Sequence, residues 1–367
     1  MTQVIPADIV TPAVMIDVDV LDRNIHRMAA AMKDRGIGLR PHVKTHKTLE
    51  IAARQLAAGA VGITVATIGE AEVFADGGAT DIFIAYPLWV EEHHAERLRR
   101  LAGACTLALG VDSVEGATAM GRRLGESAGA VGVLVEIDSG HHRSGVLPEE
   151  AVEVARAAAD AGLDVAGVFT FPGHSYKPGM PTGAANNENH ALGEAAAALT
   201  RAGFTVRTIS GGSTPTALIG NETAATELRP GVYVLGDAQQ LELERCSWDD
   251  IALTVAATVV SRHEAGGGNV RRIVVDAGSK VLGSDRPDWA SGYGRLPGFR
   301  DARITALSEH HATIVWPDDA GLPRLGERLR VIPNHVCLAM NLVDDVTAVR
   351  DGAVVDTWKV AARGKNN

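Results

Sequence analysis

Along the first two thirds of the chain, short β-branched runs alternate with Ala-rich stretches whose apolar residues recur at helical spacing. The strand-like runs are "IGLRPHVKT", "GITVAT", "DIFIAYP", "TLALGVD", "GVLVEID", "VAGVFTF", "TVRTISGG" and "ATELRPGVYVL". Between them lie helical stretches such as "VLDRNIHRMAAAMKDR", "SVEGATAMGRRLGESAG" and "NNENHALGEAAAALTRAG", most of them ending in Gly, the residue that best follows a helix C-terminus. This alternation predicts parallel strands joined by crossover helices, and eight β/α units between residues 20 and 240 fit a (β/α)8 barrel. A doubly wound open sheet is the alternative; it usually has fewer strands, and no glycine-rich fingerprint follows the first one.

Beyond residue 240 the pattern changes. "IALTVAATVVSRH", "VRRIVVDAG", "ARITALSEHHATIVWP", "ERLRVIPNHV" and "VVDTWKVAA" are β-rich and carry almost no helical periodicity. The N-terminal "TPAVMIDVDV" is strand-like and is expected to pair with them. The division expected is a barrel over residues 20–240 and an all-β domain made of 1–19 and 241–367.

Composition narrows the class. The 367 residues are 46% hydrophobic and 22% charged, the profile of an ordinary soluble globular chain. A net charge of −10 argues against nucleic acid, which needs a concentrated basic surface. There is no run of 18 apolar residues and no basic-then-apolar leader in "MTQVIPADIVTPAVMIDVDV", so neither a membrane span nor a secretory signal is expected. Three widely spaced cysteines make no disulfide framework, which points to a reducing cytoplasm.

In such barrels chemistry sits at the C-terminal ends of the strands. The first strand carries Arg40, His42 and Lys44 on one face at a two-residue period. A lysine pointing into a barrel mouth is costly unless paired or covalently used. The seventh run ends in "SGGST", where small residues let backbone N–H groups and two hydroxyls approach an anion, and the eighth carries "RPGVY". An inward lysine facing a phosphate cradle suggests pyridoxal phosphate, with His42 counted among its contacts.

"RPHVKTHK", "EIDSGHHRSGV", "SGGSTP", "LRPGVYVLGD" and "IPNHVC", in that order over nearly the whole chain, resemble the D-threonine aldolase / D-serine dehydratase family. The resemblance implies a pyridoxal-phosphate barrel followed by a β-domain, the alanine-racemase-like architecture. It implies Lys44 as the Schiff-base lysine, with Lys47 as a surface rival in the first helical turn. Arg143 resembles the arginine near the cofactor's phenolic oxygen, and Arg229 the residue facing the pyridine nitrogen. Gly212, Ser213, Thr214, Gly231 and Val232 match phosphate contacts. Tyr176 and Tyr233 match cofactor neighbours with core packing as the other reading of each, and Phe171 stands where relatives place an aromatic or histidine against the ring. A homodimer, with the β-domain of one subunit over the barrel of another, is also implied.

The same resemblance makes His335 and Cys337, two apart on one face of an extended segment, ligands of a divalent metal; thiolate and imidazole favour zinc, with manganese possible. The reaction implied is lysis of a D-3-hydroxy amino acid: β-elimination of the D-serine/D-threonine dehydratase type, to which Cys337 points, or retro-aldol cleavage to glycine and an aldehyde. Lys44 is the base for the α-proton, and His311 a candidate base for the hydroxyl. "LAMNL" after Cys337 matches neither subgroup, and His310 stands where relatives often carry an acid. An amino-acid racemase using Tyr293, a non-catalytic pyridoxal-phosphate carrier and a metal-dependent barrel hydrolase are the competing readings.

Overall fold

The computed structural model describes residues 4–220, 222–265 and 270–367. They fall into two compact units, one made of residues up to His26, Thr45–Glu50 and Val232–Arg363, the other of Arg27–Lys44, Ile51–Gly231 and Gly364–Asn367.

The chain opens with strand β1 (Ala13–Asp17) and helix α1 (Val18–Asp34). The second unit then runs β2 (Gly38–Leu39), α2 (Leu49–Ala57), β3 (Ile63–Val65), α3 (Ile68–Asp76), β4 (Asp81–Pro87), α4 (Glu92–Ala104) and β5 (Thr106–Val111). It continues with α5 (Val114–Leu124), β6 (Val131–Glu136), α6 (Ala151–Asp160), β7 (Asp164–Phe169), α7 (Pro181–Arg201), β8 (Thr208–Gly211) and β9 (Glu227–Leu228). Polar side chains start several helices: Thr67 accepts the Glu70 N–H ahead of α3, and Ser113 that of Gly116 ahead of α5.

All eight strands of this sheet pair in parallel, in the order β2-β9-β8-β7-β6-β5-β4-β3. The sheet meets itself through one bridge, His42 to Thr64, supported by the Val61 N–H to Leu39 O and Thr64 N–H to Pro41 O bonds at 2.9 and 2.8 Å. Neighbours β5 and β6 share five paired positions. The barrel interior is packed with Phe83, Leu134, Ala166 and Phe169, the two rings edge to face at 5.1 Å.

The first unit is a nine-stranded sheet. Its later elements are α8 (Ala238–Glu242), β10 (Leu253–His263), β11 (Arg272–Val275), α9 (Ser279–Leu282), β12 (Gly294–Arg295), β13 (Arg303–Leu307) and β14 (Ala312–Val315). β15 (Arg328–Pro333), α10 (Val336–Asn341), β16 (Asp345–Arg350) and β17 (Ala353–Lys359) complete it. The path is β13-β14-β11-β10-β1-β16-β17, with β15 on β10 and β12 on β15; among the described residues only the β1–β16 pair is parallel. The N-terminal strand thus sits between β10 and β16, as its pattern predicts. No described helix is long and apolar enough to cross a membrane.

Two runs are shorter as strands than they read. "IGLRPHVKT" yields only Gly38–Leu39, and "ATELRPGVYVL" only Glu227–Leu228. Each contains a proline, which has no N–H to give a ladder. Backbone bonds nonetheless carry the first run onward, from Arg40 N–H to Leu228 O and from His42 N–H to Pro230 O, both 3.0 Å. Each run then tightens into a single 3-10 turn, Val43–Thr45 and Val232–Val234.

Candidate active site

Lys44 rides on the Val43–Thr45 turn. Its Nζ lies 5.9 Å from the centre of the Phe171 ring, and the Arg143 guanidinium carbon 5.2 Å from the same ring. Tyr176 packs on Phe171 at 6.2 Å. The neighbouring Ser175 hydroxyl is 3.0 Å from that of Ser213, in the small-residue loop after β8. The lysine and the loop therefore belong to one end of the barrel, linked through Phe171 and its sequence neighbours.

His42 is part of the same group. Burial, then the charges of Lys44 and Arg229, hold its imidazole well below the usual histidine range, so it is neutral. Its Nδ1 is shut off from solvent and meets no hydrogen-bond partner among the described residues. Arg229 crosses the barrel interior, donating to Ser210 Oγ at 2.5 Å and to the Thr170 carbonyl at 2.6 Å, over the rings of Phe83 and Phe169. Burial lowers it to about 10, against the opposing pull of Glu227, Glu188 and Glu136. Arg40, from the basic cluster, is structural: it bonds Glu227 at 2.8 Å and Asp81 at 2.6 Å.

The loop 211–214 has no room for side chains at its glycines. A Cβ on Gly211 would strike Glu188, and one on Gly212 (φ +87°) would press on Leu228. Two of its amides are committed inside the protein rather than held open for an anion. The Gly212 N–H donates to Glu188 Oε1, and that of Ser213 to Thr216 Oγ1 at 3.0 Å. What the loop presents is a hydroxyl cluster of Ser175, Ser213 and Thr216, with Thr214 buried beside it. Gly231 follows, then the turn with buried Val232 and Tyr233. A reachable amine, an aromatic face, an orphaned imidazole nitrogen and a cradle closed to side chains together fit a phosphorylated aldehyde cofactor.

In the other unit, His335 caps α10 and Cys337 is its second residue, so the pair is not on an extended segment. The chain turns from β15 into the helix between them, and their side chains still meet. His335 Nδ1–H donates to Asp285 Oδ2 at 2.6 Å. Against burial, which acts the other way, the Cys337 thiolate and Asp285 push the His335 imidazole up to about 11. An imidazole beside a cysteine sulfur, with a carboxylate on its other ring nitrogen, is a donor set that a divalent cation can occupy in place of a proton. The Asp285 bond leaves Nε2 for that cation. Asp237, fully buried ahead of α8, accepts the Val336 N–H at 3.3 Å, and burial raises it to about 6.

One expectation is corrected, and two further residues are placed. Lys47 is not on the surface: it is buried with φ +54°, and its Nζ donates to Asn341 Oδ1 at 2.8 Å. His311 lies exposed in the β13–β14 turn, and no ring hydrogen bond joins it to His335 or Cys337 among the described residues. Tyr293 sits under the Arg286 guanidinium at 5.2 Å. Sequence reasoning missed Asp285, Asp237, Glu188 and Glu136, the last buried 3.8 Å from Arg143. Asp285 stands 50 positions before its histidine, so no local spacing marks it.

Residues 16–239 match the family "Alanine racemase, N-terminal domain", and residues 252–349 the "Putative serine dehydratase domain". D-threo-3-hydroxyaspartate dehydratase of Delftia sp. is 38% identical over 95% of this chain and 96% of its own. Its solved structure aligns with a TM-score of 0.86 at 36% identity, covering 96% of this chain and 97% of that one. The structure of D-threonine aldolase from Filomicrobium marinum aligns with a TM-score of 0.85 at 33% identity over 99% of both chains. The chain thus belongs to the D-threonine aldolase / D-serine dehydratase family of pyridoxal-phosphate lyases, built on the alanine-racemase-like fold.

Proposed function

We propose that this enzyme is a pyridoxal-phosphate- and divalent-metal-dependent lyase of D-3-hydroxy amino acids that eliminates water from Cα and Cβ. The observation that carries it is Lys44 facing Phe171 and Arg143 at the barrel end that also holds the loop 211–214. When bound, the cofactor withdraws electrons from the substrate's Cα, and the metal ion makes the β-hydroxyl a better leaving group. Lys44 takes the α-proton. Arg143 and Phe171 orient the ring, and Arg229, cationic and buried, faces the pyridine nitrogen and keeps it unprotonated. His335 and Cys337 hold the metal, with Asp285 fixing the imidazole. The thiolate favours zinc.

One relative supports this reading. The Delftia dehydratase is the one with the higher identity, 38% against 31% for D-threonine aldolase of Arthrobacter sp.. A mutant of that dehydratase is described as solved in the metal-free form. We infer a homodimer, checked by sedimentation.

Products decide the reaction. Incubation with D-threonine, D-serine and D-threo-3-hydroxyaspartate should release ammonia and the matching 2-oxo acid. Glycine with an aldehyde would instead make it an aldolase, and L-isomers a racemase. Turnover that survives exhaustive chelation removes the metal from the proposal.

A further inference from the structure

Glu188 lies inside α7, in the Ala-rich "NNENHALGEAAAALTRAG", where an acid reads as a surface residue; it is only 5% exposed. Its Oε1 accepts the Gly212 N–H, the Thr216 hydroxyl bonds the same carboxyl, and Gly211 has no room for a Cβ because Glu188 is there. A buried carboxyl thus backs the loop proposed to receive the cofactor's phosphate. A carboxylate and a phosphate dianion repel each other strongly at low dielectric. A neutral carboxylic acid does not, and it still accepts from Gly212 while its own O–H donates.

Resting on the cofactor reading above, we propose that Glu188 is a positioning residue for the cofactor's phosphate: protonated, it braces Gly212, and phosphate binding draws a proton onto it.

The proton comes from solvent through a cavity of about 60 Å³ that Glu188 shares with Arg35, Thr216 and Glu222, room enough for water. Arg35 and Glu222 are the charged groups across that cavity. Arg229 is the charge that acts on the carboxyl from the barrel side, and it favours ionisation. The turns Pro148–Glu150 and Gly173–Ser175 and helix α6 also pack on α7, and they carry Glu149, Glu150, His174 and Glu153. Burial already raises Glu188 to about 7 without ligand. A dianion beside it raises it further, so affinity is greatest below that value and falls as pH climbs past it, by up to about tenfold per pH unit for one linked proton.

The test is calorimetric titration of pyridoxal phosphate into apoenzyme at about pH 8, in buffers of different ionisation enthalpy, for wild type and Glu188→Gln. Wild type should take up close to one proton more than the variant and lose affinity more steeply above neutrality. Equal proton counts and equal slopes overturn the proposal. Wild type alone provides a second arm, independent of whether the variant folds. Pyridoxal, which lacks the phosphate, should bind without the extra uptake, and an uptake equal to that of pyridoxal phosphate refutes a role at the phosphate. If wild type binds neither aldehyde, the cofactor reading falls and takes this proposal with it.

Discussion

Asp285 holds the Nδ1 edge of His335 at 2.6 Å, so the imidazole can offer a metal only its Nε2. A carboxylate in that position fixes both the tautomer and the ring orientation of a ligating histidine. Asp285→Asn should therefore weaken metal binding by about 10- to 100-fold, read by chelator competition, while leaving the melting curve of the metal-free protein nearly unchanged. Undiminished affinity in that variant would remove Asp285 from the site.

Lys44→Ala should lose the absorption band near ~420 nm expected of pyridoxal phosphate joined to a lysine, and lower turnover by at least about a thousandfold. Lys47→Ala should keep the band. Its amine is spent on Asn341, so its loss should show as lowered stability. A band that follows Lys47 would reverse the assignment.

The barrel was legible because its signals are local. Alternating β-branched and Ala-rich runs are enough to give parallel strands and crossover helices: β3, β4, β5 and β8 fall inside the runs that predict them, and β6 and β7 begin one residue ahead of theirs. Lys44 stood out in the sequence through its neighbours Arg40 and His42, but the strand that would put all three on one face ends at Leu39, and Lys44 sits on the turn beyond it. What could not be read was anything set by contact between distant segments. Glu188 looks like a solvated helix acid until Gly212 is seen against it. Arg40 looks functional until Asp81 and Glu227 neutralise it. The runs holding Pro41 and Pro230 read as continuous strands, but each ladder stops short and the chain tightens into a turn just beyond the proline.

The Arg40 pairing has its own consequence. Its guanidinium is only 11% exposed and bonds two acids, one of them Glu227 at 8%. Removing one member of such a group strands a buried charge. Arg40→Ala should cost about 3 kcal/mol or more of stability in denaturant melts, with the damage reduced when Glu227→Gln is added. Additive losses from the two changes would show that the pair is not coupled.

Stability should also depend on pH through Glu188. Its folded value, about 7, lies above the usual 4.5, so the unfolded chain releases that proton first. The contribution is most favourable below the unfolded value and is lost as pH rises from there to about 7. Metal-free, cofactor-free Glu188→Gln should then melt higher than wild type at about pH 8, with the gap closing towards about pH 4. Curves that run parallel over that range would mean the carboxyl is already ionised at little cost.

The barrel has a seam. Where neighbours from β3 to β8 share three to five paired positions, β2 and β3 meet at a single bridge with two backbone bonds beside it, and that bridge is made by His42, two residues before Lys44. A cylinder fastened more lightly along one line opens there sooner, so the Val61 and Thr64 amides that cross it should exchange faster than those inside β4 to β6. Any ligand gripping both edges would act as a clasp, and the protein's rigidity would then report whether its cofactor is aboard.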